Sequence, residues 1–125
     1  MRTRESVVLD IAVNATHSAA FKMPSEGIKR IGAYVPDIVL GNVTMEGYVG
    51  TEDPNSLYQG SAVLAANQTT NWVSIASGTA IVASGNDPSY VDITSLVYGF
   101  CGWLRFVTVG VQTANQTFVV HFSSD

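Results

Sequence analysis

The chain has 125 residues, enough for one domain that buries roughly two-thirds of its unfolded surface without covalent staples. Hydrophobic residues make up 46% and charged residues only 13%, against a usual charged share of about 25%, so the polar surface is built from Ser, Thr, Asn, Gln and Gly and suits a protein covered by partners or by copies of itself. The net charge is −4 and only Lys29 and Arg30 are adjacent among the cations, so no face tracks a phosphate backbone; no run approaches a bilayer-spanning length, and neither nucleic acid nor membrane is an expected partner.

Residues 1–5 are expected to form a flexible N-terminal arm. Ser6 to Val13 then alternates, with Val7, Leu9, Ile11 and Val13 on one face and Asp10, Ala12 and Asn14 on the other. Asp10 also breaks any signal-peptide core, and the lone Cys101 excludes an internal disulfide, so a reduced protein made in the cytoplasm is expected. The four Asn-x-Thr sites, beginning at Asn14, Asn42, Asn67 and Asn115, then read as turn and strand-face residues. A short strand over Ala19 to Met23 leads to the turn Pro24 to Gly27, and Ile28 to Val35 forms the next strand. In the strand from Val39 to Val49, Val43 and Met45 point inward while Asn42, Thr44 and Glu46 point out. Gly50 to Gly60 reads as a projecting loop, and Asp53 to Ala66 is the one place for a short helix. Strands follow at Trp72 to Ala76, Thr79 to Ala83 and Tyr90 to Thr94, then an irregular or 3₁₀ turn over Ser95 to Cys101. Gly102 to Phe122 reads as a closing hairpin around Ala114-Asn115-Gln116.

Eight or nine short strands with turns at this spacing predict an all-β, antiparallel two-sheet sandwich, with a closed barrel as the alternative and no crossover helices for a parallel sheet.

Reactive residues are few. His17 falls in a turn and His121 on the outward face of the last strand, neither with a nucleophile at a recognisable local spacing. Carboxylates come closest together at Glu52-Asp53, with Asn55 nearby, and at Asp87 with Asp92, but neither set has calcium-loop spacing, and Asp53-Pro54 and Asn86-Asp87-Pro88 read as turn formers. Glu46 points outward with no second carboxylate that sequence places opposite it. Trp72, Trp103, Tyr34, Tyr48, Tyr58, Tyr90 and Tyr98 serve either as core and interface filler or as a sugar-stacking platform. Cys101 has no basic neighbour, and Gly47 to Gly50 opens no helix that would cradle phosphate. No catalytic, cofactor or metal residues are assigned, and no enzyme is expected.

A series of short motifs runs along the chain: Ser18-Ala-Ala-Phe, Ile31-Gly-Ala-Tyr-Val-Pro36, Val43-Thr-Met-Glu-Gly47, Val91-Asp-Ile, Phe100-Cys-Gly-Trp-Leu-Arg105 and the late Asn115-Gln116. In that order they resemble the small β-sandwich structural proteins of tailed bacteriophages, of the capsid decoration or cement type. The chain departs from that pattern at Gly47 to Gly60, in the late position of Trp72, and at Phe106-Val-Thr. The resemblance implies a jelly-roll-like fold and a place on the virion capsid surface. Its implied partners are the major capsid protein and further copies of the chain, a trimer being favoured. Candidate contacts are Arg2 and Arg4 on the arm and Glu52, Asp53 and Tyr58 on the projecting loop. A carbohydrate- or receptor-binding module of a virion or tail is the alternative.

Overall fold

Strand-forming residues at every second position give seven strands in a computed structural model that describes residues 4–24, 27–37, 41–54, 70–82, 87–100 and 102–124. They are β1 (Arg4–Ile11), β2 (Arg30–Val35), β3 (Val43–Tyr48), β4 (Trp72–Ser74), β5 (Ser89–Asp92), β6 (Leu104–Thr108) and β7 (Gln116–Ser123), with a short helix α1 (Thr94–Phe100) between β5 and β6. One antiparallel sheet has the order β1-β7-β2-β5 and the other β4-β3-β6.

Residues 16–21 extend the second sheet beyond β6. His17 bridges Val107 and Phe21 bridges Leu104, and Leu104 and Phe21 exchange both backbone bonds at 2.8 Å. Between the two bridges the segment carries one extra residue, a bulge, and there the buried Ser18 Oγ accepts the Phe106 amide at 3.0 Å. With this segment counted as the second of eight, the sheets read 1-8-3-6 and 2-7-4-5, the winding of a jelly roll.

Both sheets turn one face into a common core. Leu9, Ile11, Ile31, Ala33, Phe118, Val120 and Phe122 come from the first, and Val43, Met45, Leu104 and Phe106 from the second. The Phe106 and Phe118 rings stack across the gap with centroids 4.8 Å apart, and Phe21 stacks on Phe106 at 5.7 Å. Val43 and Met45 point inward as expected.

Several expectations are corrected. The final hairpin does not exist: β6 belongs to one sheet and β7 to the other. Alternation says which face of a strand is buried, and it is the same whether the next strand lies alongside or opposite. Residues 109–115 cross between the sheets, anchored by the fully buried Gln112, whose amide donates to Thr108 Oγ1 at 3.1 Å and Gly110 O at 2.8 Å. The two sheets do not close into a barrel. Arg4 and Glu5 belong to β1, paired with Ser123 and Phe122, so the strand reaches into the expected arm. The stretch read as a turn from Ser95 is helical, started by Asp92, whose Oδ1 accepts the Thr94 amide at 2.9 Å and hydroxyl at 2.6 Å. Residues 79–82 make only a bridge, Val82 to Val43, rather than a strand. The helix placed over Asp53 to Ala66 lies, past Pro54, outside the described residues.

Gly47 sits where α1 meets β3, and a Cβ there would overlap the Phe100 ring. Gly47→Ala is therefore expected to lower unfolding stability by about 1–3 kcal/mol in urea titration. Gly99→Ala on the same helix, where a Cβ would meet nothing within 4 Å, is expected to be neutral or to gain up to about 1 kcal/mol. Equal losses would refute the packing account.

Candidate functional site

Two surfaces carry side chains that the core does not use. The first is the end of the sandwich where β1 leaves and residues 109–115 cross. Val109, Val111 and Val13 stand there 76%, 54% and 42% exposed. Loop tips are normally polar, and three valines on turns are unusual. They are also held firmly. Asn14 N donates to Gln112 O at 2.8 Å, and Gln112 N to Ala15 O at 3.2 Å. Val13 N donates to Asn115 Oδ1 at 2.9 Å, and Val109 N to Asn42 O at 3.3 Å. Gly41, at φ +87°, passes so close that a Cβ would lie 2.9 Å from the Gly110 amide nitrogen.

The second surface is the outer face of the four-stranded sheet. Strand register aligns its outward residues in rows. Val8, Val119, Tyr34 and Tyr90 form one row across all four strands, and Ser6, His121, Gly32 and Asp92 the next. Arg4, Ser123 and Arg30 form a third. Tyr90, 63% exposed, leans diagonally over Gly32, where a Cβ would overlap its ring and hydroxyl. Its ring lies 5.8 Å from that of His121, tilted by 33°, with the hydroxyl 3.5 Å from His121 Nδ1. The result is a concavity of about 630 Å3 lined by Arg4, Arg30, Gly32, Tyr90, Asp92 and His121, among others. The two Thr94 bonds, hydroxyl first and then amide, hold the Asp92 carboxyl below the usual aspartate range, and the Arg30 charge adds to this.

The outer face of the second sheet carries a buried cluster instead. Arg105 points away from the core yet is fully buried. Its guanidinium lies 3.9 Å over the Trp72 ring, and Nη2 and Nε reach Glu46 Oε1 at 2.7 and 2.9 Å. Tyr48, Trp72 and Ala20 form a small cluster beside it, with Trp103 packed on its edge. His17 Nε2 lies 3.5 Å from the same Glu46 oxygen, and His17 Nδ1 lies 2.8 Å from Thr16 Oγ1. The order hydroxyl, imidazole, carboxylate mimics a hydrolytic triad, but Oε1 is already engaged by both Arg105 nitrogens. Neither Thr16 nor His17 lines the concavity beside Tyr90. The arrangement joins the extension strand to β3 and β6.

Three of the five expected contacts, Arg4, Glu52 and Asp53, fall within the described residues. Arg4 lies on the first sheet, at the end of β1 away from the valines. Glu52 follows β3 and accepts the Tyr48 hydroxyl at 2.7 Å, which holds its carboxyl below the usual range with help from its own backbone amide. Asp53 is exposed beside it. β3 starts at the valine end and runs away from it, so these three residues gather at the opposite end of the sandwich. Arg2, Tyr58 and Cys101 lie outside the described residues. The aromatic platform is divided: Tyr48 and Trp72 are buried, while Tyr34 and Tyr90 share the exposed row. Sequence reasoning missed the valine end, because valine in a short run reads as strand. Among the described residues, no three of His, Cys, Asp and Glu converge on a metal-sized site, and no helix is long and apolar enough to cross a membrane.

No protein-family model matches the chain, and no curated protein matches it.

Proposed function

We propose that this protein is a capsid decoration (cement) protein of a tailed bacteriophage, which docks on the outer surface of the major capsid protein lattice and strengthens the head. It is read as a structural protein rather than an enzyme. The observation that carries the docking half of this reading is the rigid apolar end formed by Val13, Val109 and Val111. A fixed, water-exposed apolar tip loses little conformational freedom on burial, so its area converts to affinity with a small ordering cost. The low charge of the whole chain agrees with a surface that is covered in use. Several contacts, one per copy, then add by avidity across capsomer boundaries, and a homotrimer is the favoured state. The virion assignment itself rests on the order of motifs.

The test is co-sedimentation of the purified chain with undecorated capsids, with light scattering for its own oligomeric state. The pair Val109→Ser and Val111→Ser is expected to cut occupancy at least about tenfold with an unchanged melting temperature. Glu52→Ala with Asp53→Ala tests the opposite end in the same assay. Full occupancy of the valine variant alongside loss in the acidic one would move the docking surface to that end. Absence of binding by the parent chain would remove the capsid reading.

A further inference from the structure

The concavity on the four-stranded sheet carries polar side chains and a tyrosine that neither the core nor the proposed docking end uses, above the edges of the core residues Ile31 and Phe122. We infer that it is a binding site for a carboxylate-bearing sugar, such as a uronic or sialic acid, with Arg30 meeting the carboxylate and the Tyr90 ring carrying the sugar.

The volume of about 630 Å3 lies within the usual span for small-ligand sites. Its floor is made by a missing side chain: Gly32 lets the Tyr90 ring lie back over β2, so that the ring turns a broad face to solvent instead of standing up from the edge strand. Beside it the His121 ring supplies a second wall at a 33° tilt. Two rings so arranged make an open shelf. A shelf suits the C–H face of a saturated ring, whereas a flat base is better held in a slot between parallel faces.

The row at the end of the shelf gives the charge. Arg4 and Arg30 are the register partners of Ser123 on its two sides, so their backbones stand about 10 Å apart, two strand spacings. A guanidinium binds a planar carboxylate in a bidentate way, which a lysine does not reproduce. Asp92 Oδ1 takes both Thr94 bonds, and Oδ2 is the oxygen left to accept a sugar hydroxyl. Glu5 and Asp92 line the same concavity as Arg4 and Arg30 and the chain as a whole is acidic at −4, a balance that disfavours polyanions and leaves the Arg30 guanidinium to meet a single acid group. Anion, hydroxyls and apolar ring face therefore follow one another across three rows of one sheet.

The intact chain is titrated by calorimetry and by saturation-transfer NMR with glucuronate and with N-acetylneuraminate, using methyl glucoside and acetate as controls. Saturable binding of at least one acidic sugar is expected at about 1 mM or tighter, with transfer strongest at ring protons, and with both controls at least about tenfold weaker. Arg30→Ala and Tyr90→Ala are each expected to weaken it about tenfold, Arg30→Lys by less, while thermal melting of these surface variants stays within a few degrees of the parent. Val111→Ser, at the far end, leaves sugar binding unchanged. No saturable binding of either acid, equal binding of a control, or full affinity in Arg30→Ala and Tyr90→Ala would overturn the assignment. The site is independent of the capsid reading, and each can fail alone: loss of capsid docking in the valine variants says nothing of the shelf.

Discussion

Phe106→Ala is expected to cost about 3–5 kcal/mol and to leave the protein close to its unfolding threshold, since domains of this size hold only about 5–15 kcal/mol in total. Phe106 is fully buried on β6 and touches both layers at once. It stacks on Phe118 of the opposite sheet at 4.8 Å and on Phe21 of the extension strand at 5.7 Å. Truncation removes the transfer energy of a phenyl ring and leaves a void that the two remaining rings cannot fill, because each is fixed to a different sheet. Circular dichroism should show a fall in melting temperature of roughly 10–20 °C. Phe106→Leu keeps most of the volume and should lose less than half as much. A fall of under about 5 °C for the alanine variant would mean that the sheets are not held together through this residue.

The second large effect is expected at Glu46. Glu46→Ala leaves the Arg105 guanidinium, fully buried on the outer face of the second sheet, without the carboxylate that takes two of its nitrogens. Stranding one member of a buried ion pair typically costs about 3–5 kcal/mol. The Trp72 ring, 3.9 Å from the guanidinium, stays in place and keeps part of its attraction, so the lower end, about 3 kcal/mol, is expected. Removing both charges is a different experiment. Glu46→Leu with Arg105→Met abolishes the desolvation cost as well as the attraction, and the double variant should recover more than half of the single loss. Urea unfolding of the parent, Glu46→Leu, Arg105→Met and the double variant measures this. A double variant less stable than either single one would show that the pair, rather than the packing around it, supplies the stability.

Those two residues also show what the sequence does and does not disclose. The inward phase of Leu9, Ile11, Val43, Met45, Phe118, Val120 and Phe122 was legible because period-two alternation reports local burial directly. Pairing was not. β6 and β7 are neighbours in sequence and face each other across the core, a relation that leaves the same alternating pattern as a hairpin. Helix α1 was illegible for another reason: Thr94-Ser-Leu-Val-Tyr-Gly-Phe100 contains β-branched residues and a glycine, and it becomes helical because Asp92 starts it and the core takes Val97. The burial of Arg105 is illegible as well, since nothing local says that Trp72 and Glu46 will meet it.

The motifs that carried the family resemblance turn out to have packing duties. Ser18 fills the bulge, Gly32 and Gly47 make room for Tyr90 and Phe100, and Glu46 meets Arg105. They read as marks of how this jelly roll is assembled. The shelf on the first sheet was beyond sequence reasoning altogether, because its parts come from four strands and meet only through register.

The position of β7 has a consequence for biogenesis. It lies between β1 and β2, bonded to both, although it is the last of the seven strands to leave the ribosome. Until Gln116 to Ser123 emerges, the two earlier strands have no partner on their facing sides, and a nascent chain waits with two open strand edges. Closure of that gap joins residues more than a hundred positions apart, such as Arg4 and Ser123, and so belongs to the slow regime of folding, milliseconds to seconds. Chaperone occupancy during synthesis, and aggregation of any translation product that stops short of the final strand, follow from this one placement.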